Sequence, residues 1–323
     1  MRTLLLAALI FGCFQARAMD KKKCGDLLEG KDVMAQEQYR TDQGGASKYV
    51  AGYDVFLKRT NFRDQVEIAV GNYIEAKFHR FVGPSGSTRI LEIGCGNGEM
   101  TVRYLRELRN VLQSVAPKVA ANFKIRIDLV EPAQGALNEA VRAIKELDPN
   151  IEVRAFAETM DAFKENAAFR DSEYDWMIGS YVFYHVSPTI IPGLLEKLSP
   201  LGTFMVAMGS PQHPLRAPAP LKALSKHGDS NAVASVLDSS AVRSKFGVEL
   251  LNVDTEVDLK GLWNQSTGAT TDGTAYFSFI YNHDLQRFNN EERAALDGLL
   301  TNIFNEQGGK IHPQHHLFWV WRK

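Results

Sequence analysis

The stretch ILEIGCGNGEMT, residues 90–101, decides the fold. Its apolar beginning predicts a short buried strand, and its end predicts the start of a helix. Between them stand Gly94, Gly96 and Gly98, which lack a Cβ and therefore let the backbone turn sharply and approach a ligand. A glycine turn between a strand and a helix is typical of nucleotide-binding sites, because the N–H groups at the start of the helix are free.

Strand and helix patterns alternate from residue 89 onward. The predicted strands of this part are 89–93, 125–130, 151–156, 174–179 and 202–208. The predicted helices between them are 100–115, 133–147 and 188–198. Two further strands are predicted at 248–254 and 317–322, where aromatic and β-branched residues are frequent. Such alternation predicts an α/β protein with a doubly wound, Rossmann-like sheet of seven strands.

The regions outside this alternation are interpreted as additions to one domain, residues 48–323. Apolar residues at helical spacing predict a cap of two or three helices over 48–83, in front of the sheet. Residues 19–47 are expected to be a flexible amino-terminal segment. The stretch 209–275 contains segments rich in Pro, Ser and Ala or low in apolar residues, and we expect it to form insertions on the substrate side.

The first eighteen residues resemble a secretory or lipoprotein signal, because Arg2 precedes an apolar stretch and ARA at 16–18 has the form of a cleavage site. The stretch is too short to span a bilayer, so no stable membrane span is expected. The lysines at 21–23 oppose export, and Met19 offers an alternative start. We expect a cytoplasmic protein that begins near Met19, and cleavage of residues 1–18 stays open.

Composition excludes several classes of site and partner. The chain of 323 residues has a net charge of −1, which gives no support for nucleic acid as a partner. Cys13, Cys24 and Cys95 are too few and too scattered for a disulfide framework or a zinc site, and Cys95 is expected to be inert. The run HPQHH at 312–316 has no accompanying carboxylates or cysteines, and strand alternation would place His315 and His316 on opposite faces. No metal is therefore expected.

The strand ends indicate which nucleotide binds. Glu99 stands where the dinucleotide fingerprint has its third glycine, and no phosphate-binding Gly-Lys-Ser/Thr follows. Glu131 ends the second strand, where an acid accepts hydrogen bonds from ribose hydroxyls. Ala157-Glu158-Thr159 ends the third strand and Gly179-Ser180-Tyr181 the fourth. This order of strand ends over residues 89–208 resembles the class I S-adenosylmethionine-dependent methyltransferases.

Several segments are similar to the histamine N-methyltransferase family. They are KYVAGYDVFLKR at 48–59, LEIGCGNGEM at 91–100, LVEP at 129–132, YDWMIGSYVFYHV at 174–186 and DGTAYFSFIYNHDLQRF at 272–288. The resemblance implies the class I methyltransferase fold and S-adenosyl-L-methionine as cofactor, without a metal. It implies that Gly94 and Gly96 lie against the methionine moiety, Glu131 on the ribose, Thr159 near the adenine and Ser180 at a backbone contact. The expected cofactor-binding set is completed by two further residues of the turn, Glu92 and Gly98.

The substrate half departs from that family. The family holds its amine with an acid, a glutamine and an asparagine, and the matching positions here are Phe62, Tyr181 and Gln314, of which only the last keeps an amide. A cofactor-contacting glutamine is likewise replaced by Ala136. The expected substrate-binding residues Phe62, Tyr181 and Gln314 therefore predict a pocket that is more apolar and less anionic than one for histamine.

No residue is predicted with certainty to be catalytic. Tyr181, Tyr184 and His185 are candidates for positioning the substrate, and the alternatives are core packing for the tyrosines and a packed or capping role for His185. The predicted function is methyl transfer to a small-molecule acceptor by a monomer, to an amine or a heteroaromatic nitrogen. O-methylation of a phenol, and a non-catalytic S-adenosylmethionine-binding or exported binding protein, remain alternatives.

Overall fold

The computed structural model describes residues 45–83, 86–224, 230–281 and 283–323. The candidate signal at 1–18 and nearly all of the predicted flexible segment at 19–47 lie outside the described residues. In the part of the chain that is described, no helix is long and apolar enough to cross a membrane.

A seven-stranded sheet forms the centre of the molecule. Its strands are β1 Ser87–Ile93, β2 Lys124–Val130, β3 Glu152–Phe156, β4 Tyr174–Ser180, β5 Leu198–Gly209, β6 Phe246–Asp254 and β11 Gln314–Arg322. The order is β3-β2-β1-β4-β5-β11-β6, with β11 antiparallel to both of its neighbours and β1 to β5 mutually parallel. The predicted doubly wound, Rossmann-like sheet is confirmed, and this order with its antiparallel strand is that of the class I methyltransferase fold.

Helices follow the strands and cover both faces. The longer ones are α1 Gly45–Arg59, α2 Phe62–Ala76, α3 Glu99–Val115, α5 Gln134–Leu147, α12 Thr271–Tyr281 and α13 Asn290–Gln307. The short ones are α4 Pro117–Ala120, α6 Met160–Phe163, α7 Ala167–Arg170, α8 Ile191–Leu195, α9 Ala219–Leu224, α10 Asn231–Leu237 and α11 Ser240–Arg243. Single 3₁₀ turns lie at Phe78–Arg80, Pro188–Ile190, Pro214–Arg216 and Leu285–Arg287. Short paired strands complete the chain: β7 Val257–Asp258 with β10 Lys310–Ile311, and β8 Trp263–Asn264 with β9 Gly268–Ala269.

Two apolar layers hold the helices on the sheet. On one face α2, α3 and α5 bury side chains at helical spacing, such as Tyr104, Leu105 and Leu108 of α3, against Trp176 and Trp319 of the sheet. On the other face the short helices α6, α7, α8, α10 and α11 pack on alternate residues of the same strands. This division follows from the period of two along each strand, which sends successive side chains to opposite faces.

A third apolar cluster lies beyond the sheet and includes α12 and α13. Helix α1 packs on α12 where Gly52 lies, and a Cβ at Gly52 would come 2.4 Å from the carbonyl oxygen of Ala275. The predicted helical cap therefore has two different partners, since α1 packs on α12 whereas α2 packs on α3 and the sheet.

Three segments differ from the sequence expectation. The helix predicted at 188–198 is a 3₁₀ turn followed by the short α8, because Pro192 and Gly193 weaken the helix and β5 already begins at Leu198. The segment predicted as substrate-side insertions, 209–275, ends with the short strands β8 and β9 and the start of α12, which begins at Thr271. Helix α13 was not expected, although Asn289 and Glu292 form a capping box at its start.

Candidate functional site

The glycine turn after β1 uses the left-handed backbone region at each of its glycines, with φ of 69° at Gly94, 54° at Gly96 and 80° at Gly98. A Cβ at Gly94 would lie 2.5 Å from Val182 Cγ2, and one at Gly98 would lie 2.6 Å from the Cα of Ala140. A Cβ at Gly96 would meet no atom within 4 Å. Gly94 and Gly98 are thus required by packing as well as by conformation, whereas Gly96 borders open space that a ligand can fill.

Glu92 lies beneath the turn with only 2% of its surface exposed. Burial raises the pKa of its carboxyl to about 7, and the neighbouring Thr101 hydroxyl opposes that rise. Neither Glu92 Oε2 nor Thr101 Oγ1 has hydrogen-bond geometry to any described residue. The residue beneath the turn is therefore a buried acid, and one of its oxygens has no hydrogen-bond partner among the described residues.

Glu131 follows β2 and faces the glycine turn. Its carboxylate accepts hydrogen bonds from the Gly96 N–H at 3.2 Å and the Ala133 N–H at 3.0 Å. Each carboxylate oxygen has two lone pairs, so each retains one acceptor position for a ligand hydroxyl. The side chain is partly buried and lines the cavity described next.

A cavity of about 520 Å³ lies at the carboxyl ends of the parallel strands. Residues of β1, β2, β4 and β5, or residues just behind those strands, line it: Ile93, Gly94, Val130, Glu131, Tyr181, Val182 and Gly209. Strand β1 has β2 on one side and β4 on the other, so the chain reverses its order of strand addition here. Ligands of open α/β sheets bind in the crevice at such a switch point.

One part of the cavity, called the acidic half here, is lined by Gly94, Glu131, Glu158, Thr159 and Asp161. The last three follow β3, and Glu158 and Thr159 are the polar residues that the sequence places at the end of this strand. The Thr159 hydroxyl also accepts a hydrogen bond from the Ala162 N–H at 3.3 Å and so caps the amino terminus of α6.

The other part, called the aromatic half, is lined by Tyr53, Phe56, Phe62, Tyr181, Tyr184, Phe279, His213, Arg216 and His315. The Tyr181 hydroxyl lies 2.8 Å from His315 Nδ1, and the Phe62 ring stacks on His315 with 5.4 Å between centroids. Tyr181 has a φ of 56°, and among the described residues no other non-glycine residue has a positive φ. Strained backbone of this kind is concentrated at functional sites.

Burial keeps the aromatic half free of charged imidazoles. It lowers the pKa of His315 to about 4, with His316 adding to the effect. It also lowers the pKa of His213 well below the usual range, and Arg216 and His315 act in the same direction. Burial raises the pKa of Tyr181 well above its usual range. At neutral pH these side chains are therefore uncharged hydrogen-bonding groups.

The predicted site residues fall into two groups by position. Gly94, Glu131, Thr159, Phe62, Tyr181, Tyr184 and His185 line the cavity. Glu92, Gly96, Gly98, Ser180 and Gln314 lie outside its lining. The Ser180 hydroxyl is 3.1 Å from the buried Tyr104 hydroxyl, and Gln314 donates a hydrogen bond to Asp254 at 2.8 Å. Strand alternation places His315, and not Gln314, toward the cavity.

His315 and His316 lie on opposite faces of β11, as predicted. His315 contacts Tyr181, whereas His316 Nδ1 lies 2.6 Å from the Ser230 hydroxyl. Over the described ranges, no group of three or more His, Cys, Asp or Glu side chains could hold a metal ion. Cys95 is buried with a free thiol, and burial raises its pKa far above the usual range. Cys13 and Cys24 lie outside the described residues.

Six lining residues of the aromatic half were not among the predicted site residues: Tyr53, Phe56, Phe279, His213, Arg216 and His315. Tyr53 and Phe56 lie in a segment that the sequence predicts as helix, and their spacing of three residues places them on one side of α1. His213 and Arg216 belong to a proline-rich stretch without periodicity, so no pattern pointed to them.

No protein-family model matches the chain, and no curated protein matches it. Several solved structures are similar. The plantazolicin methyltransferase BamL, solved with a triazolic desmethylPZN analog and SAH, has 12% identity and a TM-score of 0.46 over 90% of this chain and 96% of that one. A SAM-dependent methyltransferase from Thiobacillus denitrificans, solved with S-adenosyl-L-homocysteine, has 13% identity and a TM-score of 0.40 over 79% and 91%. The cyclase SpnF has 13% identity and a TM-score of 0.39 over 78% and 81%. Similarities of this size assign no activity.

Proposed function

We propose that this protein is an enzyme that transfers the methyl group of S-adenosylmethionine to a small-molecule acceptor. One observation carries the proposal: the Glu131 carboxylate and the left-handed glycine turn meet at the switch point of the sheet and border one cavity. A carboxylate at the end of the second strand suits the two hydroxyls of a ribose.

The donor groups present fit that cofactor. Gly94 brings backbone to the cavity wall, Gly96 borders open space next to Glu131, and Glu131 retains acceptor positions for hydroxyl groups. Glu158 and Thr159 provide polar groups where an adenine edge would lie. Glu99 stands in the first turn of α3 and opposes phosphate binding there, which disfavours a dinucleotide.

When bound, the cofactor supplies a methyl group already activated on a sulfonium sulfur. The protein then has to hold the acceptor in line, and positioning of this kind supplies about 7–11 kcal/mol of barrier reduction in well-oriented systems. The rings of Tyr181, Tyr184 and Phe62 form the wall on the acceptor side. His315, with its pKa of about 4, is too weak a base to take the proton of an ammonium group near neutral pH. The aromatic half therefore acts by favouring the neutral form of an amine, since burial disfavours its charged form.

The acceptor is proposed to be a flat aromatic or heteroaromatic compound rather than histamine. Phe62 is 3% exposed and packs edge-on against Tyr181 at 5.4 Å, so both positions offer ring surface in place of counter-charges. Burying an amine cation without a partner is unfavourable. Nitrogen is preferred as the methylated atom because His213 and His315, with their lowered pKa values, are too weak as bases for a phenol. O-methylation is the second candidate and requires His185 or another group to take the phenol proton.

Isothermal titration calorimetry with S-adenosylmethionine, S-adenosylhomocysteine and NAD tests the cofactor. We expect binding of the first two and no binding of NAD. Glu131→Ala should weaken cofactor binding by about 1.5–3 kcal/mol, the value for hydrogen bonds to a charged group. Glu131→Gln, which keeps the side-chain shape, should show whether the loss comes from charge. The matched control is Glu139→Ala, an exposed position on α5. Unchanged affinity in Glu131→Ala, or tight NAD binding, would refute the assignment.

A further inference from the structure

We propose that Arg216 binds a carboxylate group of the methyl acceptor in the aromatic half of the cavity. The inference rests on the proposed methyl transfer and adds the chemical class of the acceptor. Arg216 ends the 3₁₀ turn Pro214–Arg216 and lines the cavity. Its Nη2 donates to the Ile280 carbonyl at 3.4 Å, and its Nε is buried without a hydrogen-bond partner among the described residues.

The position of this guanidinium separates it from the cofactor groups. Its hydrogen bond goes to Ile280, and its charge acts on His213, Tyr276 and Tyr281, all of which belong to the segment between residues 213 and 281. In the structure as described, it makes no hydrogen bond to the glycine turn or to Glu131. Arg216 is therefore placed to contact the acceptor rather than the cofactor.

No carboxylate lines the described part of the aromatic half, where Arg216 lies. The carboxylates that line the cavity are Glu131, Glu158 and Asp161, which lie in the acidic half. His213 and His315 are uncharged at neutral pH because burial lowers both pKa values. Among the described lining residues of the aromatic half, Arg216 is therefore the side chain that is charged at neutral pH, and its charge is positive. An acceptor with one negative charge would neutralise it.

The shape of the group favours a carboxylate over a phosphate. A guanidinium presents parallel N–H groups in a plane, which matches the two oxygens of a carboxylate. One carboxylate balances one arginine, whereas a doubly charged phosphate would leave a negative charge beside the rings of Tyr184 and Phe279. The expected acceptor is therefore an aromatic acid whose ring packs on the aromatic half and whose carboxylate pairs with Arg216.

Calorimetric titration of matched probes tests this assignment. Benzoate, phenylacetate and 3-phenylpropionate are each compared with their primary amides, which have nearly the same shape without the charge, in the presence and absence of S-adenosylhomocysteine. For at least one pair, the carboxylate should bind about 10- to 100-fold more tightly than the amide, the range expected for a charged hydrogen-bonded pair. Arg216→Met should remove this preference, and Arg216→Lys should retain part of it. The matched control Arg142→Met, at an exposed helix position, should leave it unchanged.

The affinity for S-adenosylhomocysteine separates this proposal from the proposed function. It should be the same in the wild type and in both Arg216 variants. If Arg216→Met weakens S-adenosylhomocysteine binding and leaves the probe preference intact, Arg216 holds the cofactor and the inference is overturned. Equal binding of every carboxylate and its amide, including no binding of either, also overturns it. If the wild type does not bind S-adenosylhomocysteine, the proposed methyl transfer is refuted. The role of Arg216 is then still decided by the probe titrations that are made in the absence of S-adenosylhomocysteine.

Discussion

The Tyr181 hydroxyl lies 2.8 Å from Nδ1 of His315 and joins the end of β4 to the start of β11 at the cavity wall. His315 is buried and Tyr181 is partly buried, and both are uncharged at neutral pH, since loss of solvent raises the pKa of Tyr181 and lowers that of His315 to about 4. The contact therefore holds two rings of the aromatic half in a fixed relation without bringing a charge into it.

Tyr181→Phe should reduce stability by about 1–2 kcal/mol, because the ring packing on Phe62 remains while His315 Nδ1 loses its buried partner. Urea unfolding at neutral pH measures the difference. Tyr53→Phe is the matched control: it removes a hydroxyl from the same cavity wall but no hydrogen bond of the described residues, and it should change stability little. Equal effects of the two substitutions would contradict a role for the Tyr181 hydroxyl in holding the wall.

The double substitution Tyr181→Gln with Phe62→Glu should shift acceptor preference toward histamine-like amines. The amide and the carboxylate would supply hydrogen bonds and a counter-charge that the wild-type wall lacks. The measurement is kcat/KM for histamine and for an aromatic amine in both proteins. Efficient histamine methylation by the wild type would show that the two positions do not determine the acceptor as proposed.

The three glycines of the turn should respond differently to alanine. Gly98→Ala should destabilise by about 3–4 kcal/mol, because it adds a collision with the Ala140 backbone to the unfavourable positive φ. Gly96→Ala should lose only about 1–2 kcal/mol of stability, the expected value for the conformation alone, but should impair cofactor binding because its Cβ enters the open space. Urea unfolding and calorimetry separate the two effects. The control is Gly135→Ala in α5, where an added Cβ would have no atom within 4 Å, so the substitution should be neutral or stabilising. A loss of stability there comparable to that of Gly98→Ala would contradict the packing argument.

The buried Glu92 carboxyl should make the ligand-free protein less stable at alkaline pH. Its pKa is raised from 4.5 to about 7, so the folded protein binds a proton that the unfolded chain releases. The stability from this group is fully present below about pH 4.5 and is lost as the pH rises through about 7. Glu92→Gln removes the titration, so the variant should gain roughly 2–3 kcal/mol relative to the wild type between pH 5 and pH 8.

Urea unfolding of both proteins at pH 5 and pH 8 measures that gain, because all other titrating groups are common to the two. Glu139→Gln, an exposed carboxyl of α5, serves as the control and should show no such pH-dependent difference. If the stability difference between Glu92→Gln and the wild type is the same at both pH values, the Glu92 carboxyl does not titrate as described.

The sheet could be predicted from the sequence because its strands are apolar runs bounded by turns. Each of the seven predicted strands is present, within a few residues at its ends. The sequence also placed Gly94, Glu131 and Thr159 at one cavity, the proposed cofactor side, since they follow strands and parallel strands bring their carboxyl ends to one edge. Local pattern and long-range geometry agree in this part of the molecule.

The aromatic half, the proposed acceptor side, could not be predicted to the same degree. Arg216 reaches the cavity from a stretch without periodicity, and its position depends on Ile280, which is 64 residues away. Gln314 and His315 differ by one position, and in a strand one residue of register decides which face a side chain occupies. Helix α13 was not predicted, although its capping box, Asn289 with Glu292, is visible in the sequence.

The place of β11 in the sheet sets the order in which the two halves of the cavity can form. This strand is the last of the described sheet in chain order, yet it lies between β5 and β6, and β6 pairs with no other strand of the described residues. Strands β1 to β4 and the glycine turn leave the ribosome long before it, because synthesis proceeds from the amino terminus. His315 and α12, which complete the aromatic half, come last. A nascent chain can therefore assemble the acidic half from segments that are made early, whereas the aromatic half stays incomplete until β11 has been synthesised.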